Sequence, residues 1–122
     1  MVKIIEMDTH TTFMKQLAGS GSEPIVLVNL FTMSPEDEAS FLELWAEDAK
    51  YMLSHGCVSG QLHKGTEGST SYLNYAVWES VEALARAFRS EQFQSLLHRY
   101  PSSVSASPHV FTKFAVPGVC DD

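Results

Sequence analysis

The stretch Ile25–Thr32, IVLVNLFT, is apolar at nearly every position. A strand with one wet face alternates apolar and polar residues. This one does not: Ile25, Leu27 and Phe31 share one parity, and Val26, Val28 and Leu30 share the other. It predicts a strand covered on both faces. The residues that follow supply one cover. In SPEDEA, Ser34 is placed to cap a helix, Pro35 takes its first position, and Glu36, Asp37 and Glu38 fill its first turn. Phe41, Leu42, Leu44, Trp45, Ala49, Met52 and Leu53 then recur at helical spacing, and the helix is expected to stop at His55–Gly56.

The rest of the chain fixes the order. Cys57–Lys64 reads as a second strand, GTEGSTS as a turn, and Ser71–Trp78 as a third strand. Ser80 caps a helix with Val81, Leu84, Ala85 and Phe88 along one side, and Glu91–Arg99 forms another short helix. YPSSVSASP reads as a loop, and His109–Val116 as a fourth strand ended by Pro117. The order β-α-β-β-α-β predicts an α+β fold of the ferredoxin-like, split βαβ type, with a four-stranded antiparallel sheet and helices on one face. The other face then needs a partner, and two sheets packed face to face in a twofold homodimer would supply it. Residues 1–23 read as an N-terminal extension and linker. VKIIEM is a short strand for a sheet edge, Asp8 or Thr11 caps a brief helix starting near Thr12, and AGSGSEP is flexible. The domain proper spans 24–117, and 118–122 is a tail.

Charge narrows the partners. Acidic residues outnumber basic ones, 15 to 8, and no Lys/Arg cluster occurs. Nucleic acid and anionic membrane surfaces are therefore not expected partners. No apolar run approaches a membrane span. Cys57 and Cys120 form neither a CxxC motif nor a disulfide framework, which suits a cytoplasmic protein. The five histidines lack metal-ligand spacing, so no metal site is expected.

The third strand holds an oddity. In SYLNYAVWES, Asn74 stands inside an otherwise apolar and aromatic run. Parity puts Tyr72, Asn74, Ala76 and Trp78 on one face, with a small residue between the amide and the indole. That arrangement suits a pocket wall. It also suits a core in which Trp78 is an anchor and Asn74 satisfies a neighbouring loop.

VLVNLFTMSPED with its long helix, GTEGSTSYLNYAVWES, and EALARAFRSEQFQSL together resemble the antibiotic biosynthesis monooxygenase family of dimeric α/β-barrel proteins, over about Pro24 to Val116. The resemblance implies a cofactor-independent monooxygenase that oxidises a phenolic, anthrone-type aromatic polyketide with molecular oxygen. In such enzymes an Asn and a Trp separated by three residues line the substrate cavity, as Asn74 and Trp78 stand here. Trp78 would stack on the ring and Asn74 would hydrogen-bond the phenolate or the developing peroxide. A non-oxidative cyclase or a small-molecule-binding protein of the same fold is the alternative. A third reading is haem degradation: a branch of the superfamily carries an Asn on the first strand, as Asn29 does, and an iron-binding His near the place of His98. Here His98 is offset by one residue, a rotation of about 100° on a helix, and the accompanying Trp is absent.

Other candidates complete the expected site. Tyr72 shares a face with Asn74, and Asn29 is a second amide in an apolar strand. His63 shares strand parity with Cys57, Ser59 and Gln61, where it would be a pocket base or a solvated strand end. His98 is either a ligand-side residue or an exposed helix end. The helix carboxylates Glu36, Asp37, Glu38, Glu43, Glu47 and Asp48 are expected mostly on its solvated face.

Overall fold

In the computed structural model, which describes residues 1–121, the predicted ferredoxin-like unit is present with one addition. Asp122, the end of the expected tail, lies outside the described residues. The elements run β1 (Lys3–Ile4), α1 (Phe13–Leu17), β2 (Ile25–Thr32), α2 (Glu38–Leu53), β3 (Cys57–Lys64), β4 (Tyr72–Trp78), α3 (Val81–Phe88), α4 (Glu91–Arg99) and β5 (Ser105–Phe111). A 3-10 turn, Pro35–Asp37, precedes α2, so that helix begins later than Pro35.

The sheet has five strands in the order β1-β5-β2-β4-β3, one more than the sequence predicts. β2, β3, β4 and β5 are antiparallel to one another where they pair; β1 is parallel to β5 and makes the sheet mixed. β1 is short for a reason. Lys3 and Ile5 N–H groups bond to Val104 and Ala106 carbonyls, and two residues further along Pro108 has no N–H with which to continue the ladder. Beyond that point Gln16 of α1 takes the place of a strand. Its amide accepts from Val110 N–H at 2.9 Å and donates to Val110 O at 3.0 Å.

β5 corrects the predicted fourth strand, His109–Val116. It starts four residues earlier, in the Ser-rich stretch read as loop, and ends at Phe111. Ala106 and Pro108 are buried, while Ser105 and Ser107 are only partly covered. Small residues carry little strand propensity, but pairing with β2 on one side and β1 on the other holds them extended.

The helices lie on one face, as expected. Ser80 caps α3 by accepting from Ala83 N–H at 3.1 Å, and Ser90 caps α4 by accepting from Phe93 N–H at 3.2 Å. Gly56 ends the α2–β3 turn with φ +106°; a side chain there would stand 2.7 Å from the Ala83 methyl. The core falls into two clusters. One gathers Phe31, Phe41, Leu44, Tyr72, Leu96, Tyr100 and Val104. The other gathers Phe13, Leu17, Leu27, Ala76, Trp78 and Leu84. The N-terminal extension belongs to this core: Val2, Phe13 and Leu17 are buried.

The opposite sheet face is apolar and uncovered. Val26, Val28, Leu73 and Val77 are only partly buried on it, and Leu30, Tyr75 and Phe111 are exposed. No helix is long and apolar enough to cross a membrane among the described residues.

Candidate functional site

The two core clusters do not close on each other. Between them, under α2, lies a cavity of about 110 Å³ that opens to solvent at its mouth. The sheet forms its floor and α2, α3 and α4 its roof.

Strand register builds the floor. Asn29 on β2 is directly opposite Asn74 on β4, and Ile25 is opposite Trp78. Next to them, Gly60 on β3 pairs with Ala76. Two residues without bulk therefore sit beside two amides and an indole. The roof and sides are Trp45, Asp48 and Met52 of α2, Leu84 and Phe88 of α3, Phe93 and Leu97 of α4, and Tyr100. Val2, Ile4 and Phe13 complete the wall from the N-terminal segment, with Phe13 edge-on to Phe88 at 5.3 Å.

The polar groups here lack partners in the protein. Asn29 Oδ1, Asn74 Oδ1, Trp78 Nε1 and Asp48 Oδ1 are each buried without a hydrogen bond, and all four residues line the cavity. A buried polar atom left unsatisfied costs about 1–3 kcal/mol. Four of them around one space are a hydrogen-bonding template for something that enters it. Each amide carries an acceptor oxygen and a donor NH2, the carboxyl accepts, and the indole donates.

Asp48 is an exception to the expectation that the α2 carboxylates are mostly solvated. It follows Phe41 and Leu44 by seven and four residues and precedes Met52 by four, which is the buried stripe of the helix. That spacing is the signal by which the sequence shows it. Burial raises its pKa from 3.8 to about 7. Tyr100 was likewise not singled out from sequence. Burial, then Asp48, then Glu47 push its phenol above the ordinary value. Burial also raises the Cys57 thiol, with Asp48 a minor cause; Cys57 lines the cavity beside β4. No Lys, Arg or His is among the described residues that line the space.

Of the sequence-predicted residues, Asn74, Trp78 and Asn29 meet in the cavity. Three others do not. Tyr72 is on the correct face, but its ring packs on Phe41 at 5.2 Å and its hydroxyl donates to Glu38, which also pairs with Lys64 at 2.9 Å. The bond to Glu38 is the main reason the Tyr72 phenol is raised. His63 is exposed and its Nδ1 is 3.3 Å from Leu73 O. The cause is a bulge between Cys57 and Ser59. Cys57 pairs with Trp78 but Ser59 pairs with Val77, so parity inverts and His63 leaves on the outer face. His98 is exposed on α4, while the adjacent Leu96 and Leu97 face inward. It is not placed to ligate an iron inside the cavity. Among the described residues no group of three His, Cys, Asp or Glu side chains is arranged to hold a metal ion.

The sequence pattern of the antibiotic biosynthesis monooxygenase family matches residues 24–99. A comparison with curated proteins found no match. Among solved structures, the chain is similar to SnoaB, a cofactor-independent oxygenase from Streptomyces nogalater, with 24% identity and a TM-score of 0.70 over 79% of this chain and 98% of that one. It is also similar to PA3566 from Pseudomonas aeruginosa, with 18% identity and a TM-score of 0.67 over 80% of this chain and 100% of that one. Rv0793 from Mycobacterium tuberculosis gives 14% identity and a TM-score of 0.64 over 79% and 100%. At these identities the likeness is one of fold.

Proposed function

Because the chain belongs to the antibiotic biosynthesis monooxygenase family, we propose that it is a cofactor-independent oxygenase acting on a phenolic, anthrone-type aromatic metabolite with molecular oxygen. The observation that carries this is the orphaned set of Asn29, Asn74, Trp78 and Asp48 around a largely apolar cavity. An electron-rich ring anion reduces oxygen itself, so the protein needs to bind a flat ring, stabilise its anion and keep out bulk water. The aromatic and aliphatic walls suit the ring. The side-chain NH2 groups of Asn29 and Asn74 and the Trp78 N–H would donate to the anion and to the peroxide that forms from it. Trp78, itself buried, has its ring fixed by the second core cluster, which pre-sets that geometry.

The overall change is a ring CH2 plus O2 giving C=O plus water. Oxygen uptake with an anthrone or a dihydroxynaphthalene tests it. Turnover should fall about 10²-fold in Asn74→Ala, the scale for loss of one preorganised donor, and measurably in Trp78→Phe. Unchanged turnover in both would remove these residues from the reaction. Ring binding by the wild type without oxygen uptake would assign the cavity to a non-oxidative role.

The uncovered apolar sheet face supports a homodimer formed through it. Leu30, Tyr75 and Phe111 would be buried there against the copy. The free thiols of Cys57 and Cys120 suit a reducing, cytoplasmic setting.

A further inference from the structure

We propose that Asp48 is the proton acceptor of this cavity, taking the proton from the acidic C–H or O–H of a ring that enters neutral. For the oxygen chemistry that follows, the inference rests on the oxygenase reading above; for the proton transfer it rests on the cavity alone.

Four observations converge on Asp48. Its side chain comes from the roof, while Asn29, Asn74 and Trp78 come from the floor, so a flat ring between them meets the carboxyl on one side and the amides and indole on the other. Its Oδ1 is buried and accepts no hydrogen bond from the protein. The other titratable groups lining the space are Tyr100 and Cys57, both held toward their neutral forms. Glu47, the adjacent carboxylate on α2, is engaged outside by Arg99 at 2.8 Å. Among the described lining residues, Asp48 is thus the carboxyl that changes charge near neutral pH.

The transfer conserves charge within the cavity. Ionised Asp48 removes a proton from the ring CH2 and becomes neutral, and the negative charge passes to the ring, beside the Trp78 N–H and the amides of Asn29 and Asn74. The ring anion gives electrons to O2 and a C–O bond forms, leaving a peroxide anion. That anion takes the proton back from Asp48 and becomes a hydroperoxide. Asp48 then removes the remaining hydrogen on the same carbon as the O–O bond breaks. A ketone forms, and the departing hydroxide takes the proton and leaves as water. The substrate class follows as well. With a carboxylate in the wall and no cation among the described lining residues, a ring bearing its own carboxylate in this space is disfavoured.

The test uses 1,8-dihydroxyanthrone without oxygen, because its anion absorbs at longer wavelength than the neutral form. Wild-type protein at pH 8 should hold the probe as its anion. Asp48→Asn, nearly the same size, should bind it at pH 6 with affinity within about threefold, read by tryptophan quenching, yet show at least tenfold less anion at pH 8. Thermal melting at pH 6 confirms that the variant is folded. Equal anion in the two proteins, or none in the wild type, overturns the role of Asp48. Anion formation in the wild type alone, without oxygen uptake once air is admitted, keeps Asp48 as the base and removes the oxygenase reading. Oxygen uptake that survives Asp48→Asn with an unchanged pH profile keeps the oxygenase reading and removes Asp48.

Discussion

Asp48→Asn should change how stability depends on pH, whatever ligand the cavity takes. The carboxyl is raised from 3.8 to about 7 by burial. In the unfolded chain it returns to the ordinary value. Between those two pH values the folded protein holds a proton that the unfolded chain has released, so stability falls as pH rises. The favourable contribution is fully present below about pH 4 and is lost as pH climbs through about 7. At about 1.36 kcal/mol per factor of ten, the full loss is about 4 kcal/mol. Water reaching the half-buried residue reduces this, and about 2 kcal/mol is the working figure. Asparagine keeps the shape and carries no proton to lose. Urea unfolding of both proteins between pH 4 and pH 8 isolates the effect, because other groups cancel in the difference. The variant should gain about 2 kcal/mol on the wild type across that range, roughly 8 °C in melting temperature at this chain length. A difference that does not vary with pH would show that Asp48 is not held protonated by burial.

Three further outcomes are expected. Gly60→Val should weaken ring binding at least tenfold with little change in melting, since a Cβ at Gly60 meets Asn74 Oδ1 only at 3.6 Å and the added methyls enter the cavity; a fluorescence titration reads this. Leu30→Glu, on the uncovered sheet face, should yield a monomer in sedimentation at micromolar concentration while the wild type sediments as a dimer. Ser80→Ala should cost about 1 kcal/mol in urea unfolding by removing the α3 cap, without altering ring binding.

The strand order and the helix that covers it were legible because periodicity and caps agree locally. IVLVNLFT and the Ser80 cap each point to one structure. The pair Asn74 and Trp78, with Asn29 opposite, was legible for a related reason: strand parity alone puts i and i+4 on one face, and the fold supplies the neighbour. What escaped depended on register or on tertiary pairing. One bulge at Cys57–Ser59 reversed every outward position of β3 and took His63 from the site. Ser105–Pro108 lacks strand propensity and is extended because two strands flank it. Asp48 was misread by residue type although its helical position was correct. Spacing from Phe41 and Leu44 was the stronger signal, because a helix face is buried as a stripe whatever one of its members is.

The wall contributed by Val2, Ile4 and Phe13 lies before the 24–99 stretch that carries the family pattern. The amides, the indole and the roof carboxyl lie inside that stretch. The chain therefore encodes its reacting groups and part of its substrate boundary in separate segments. Exchange of Phe13 would reshape the room beside Trp78 and leave the sheet register that aligns Asn29 with Asn74 in place. Selectivity among ring systems could diverge in the first residues of such a chain while the chemistry stayed fixed in the rest.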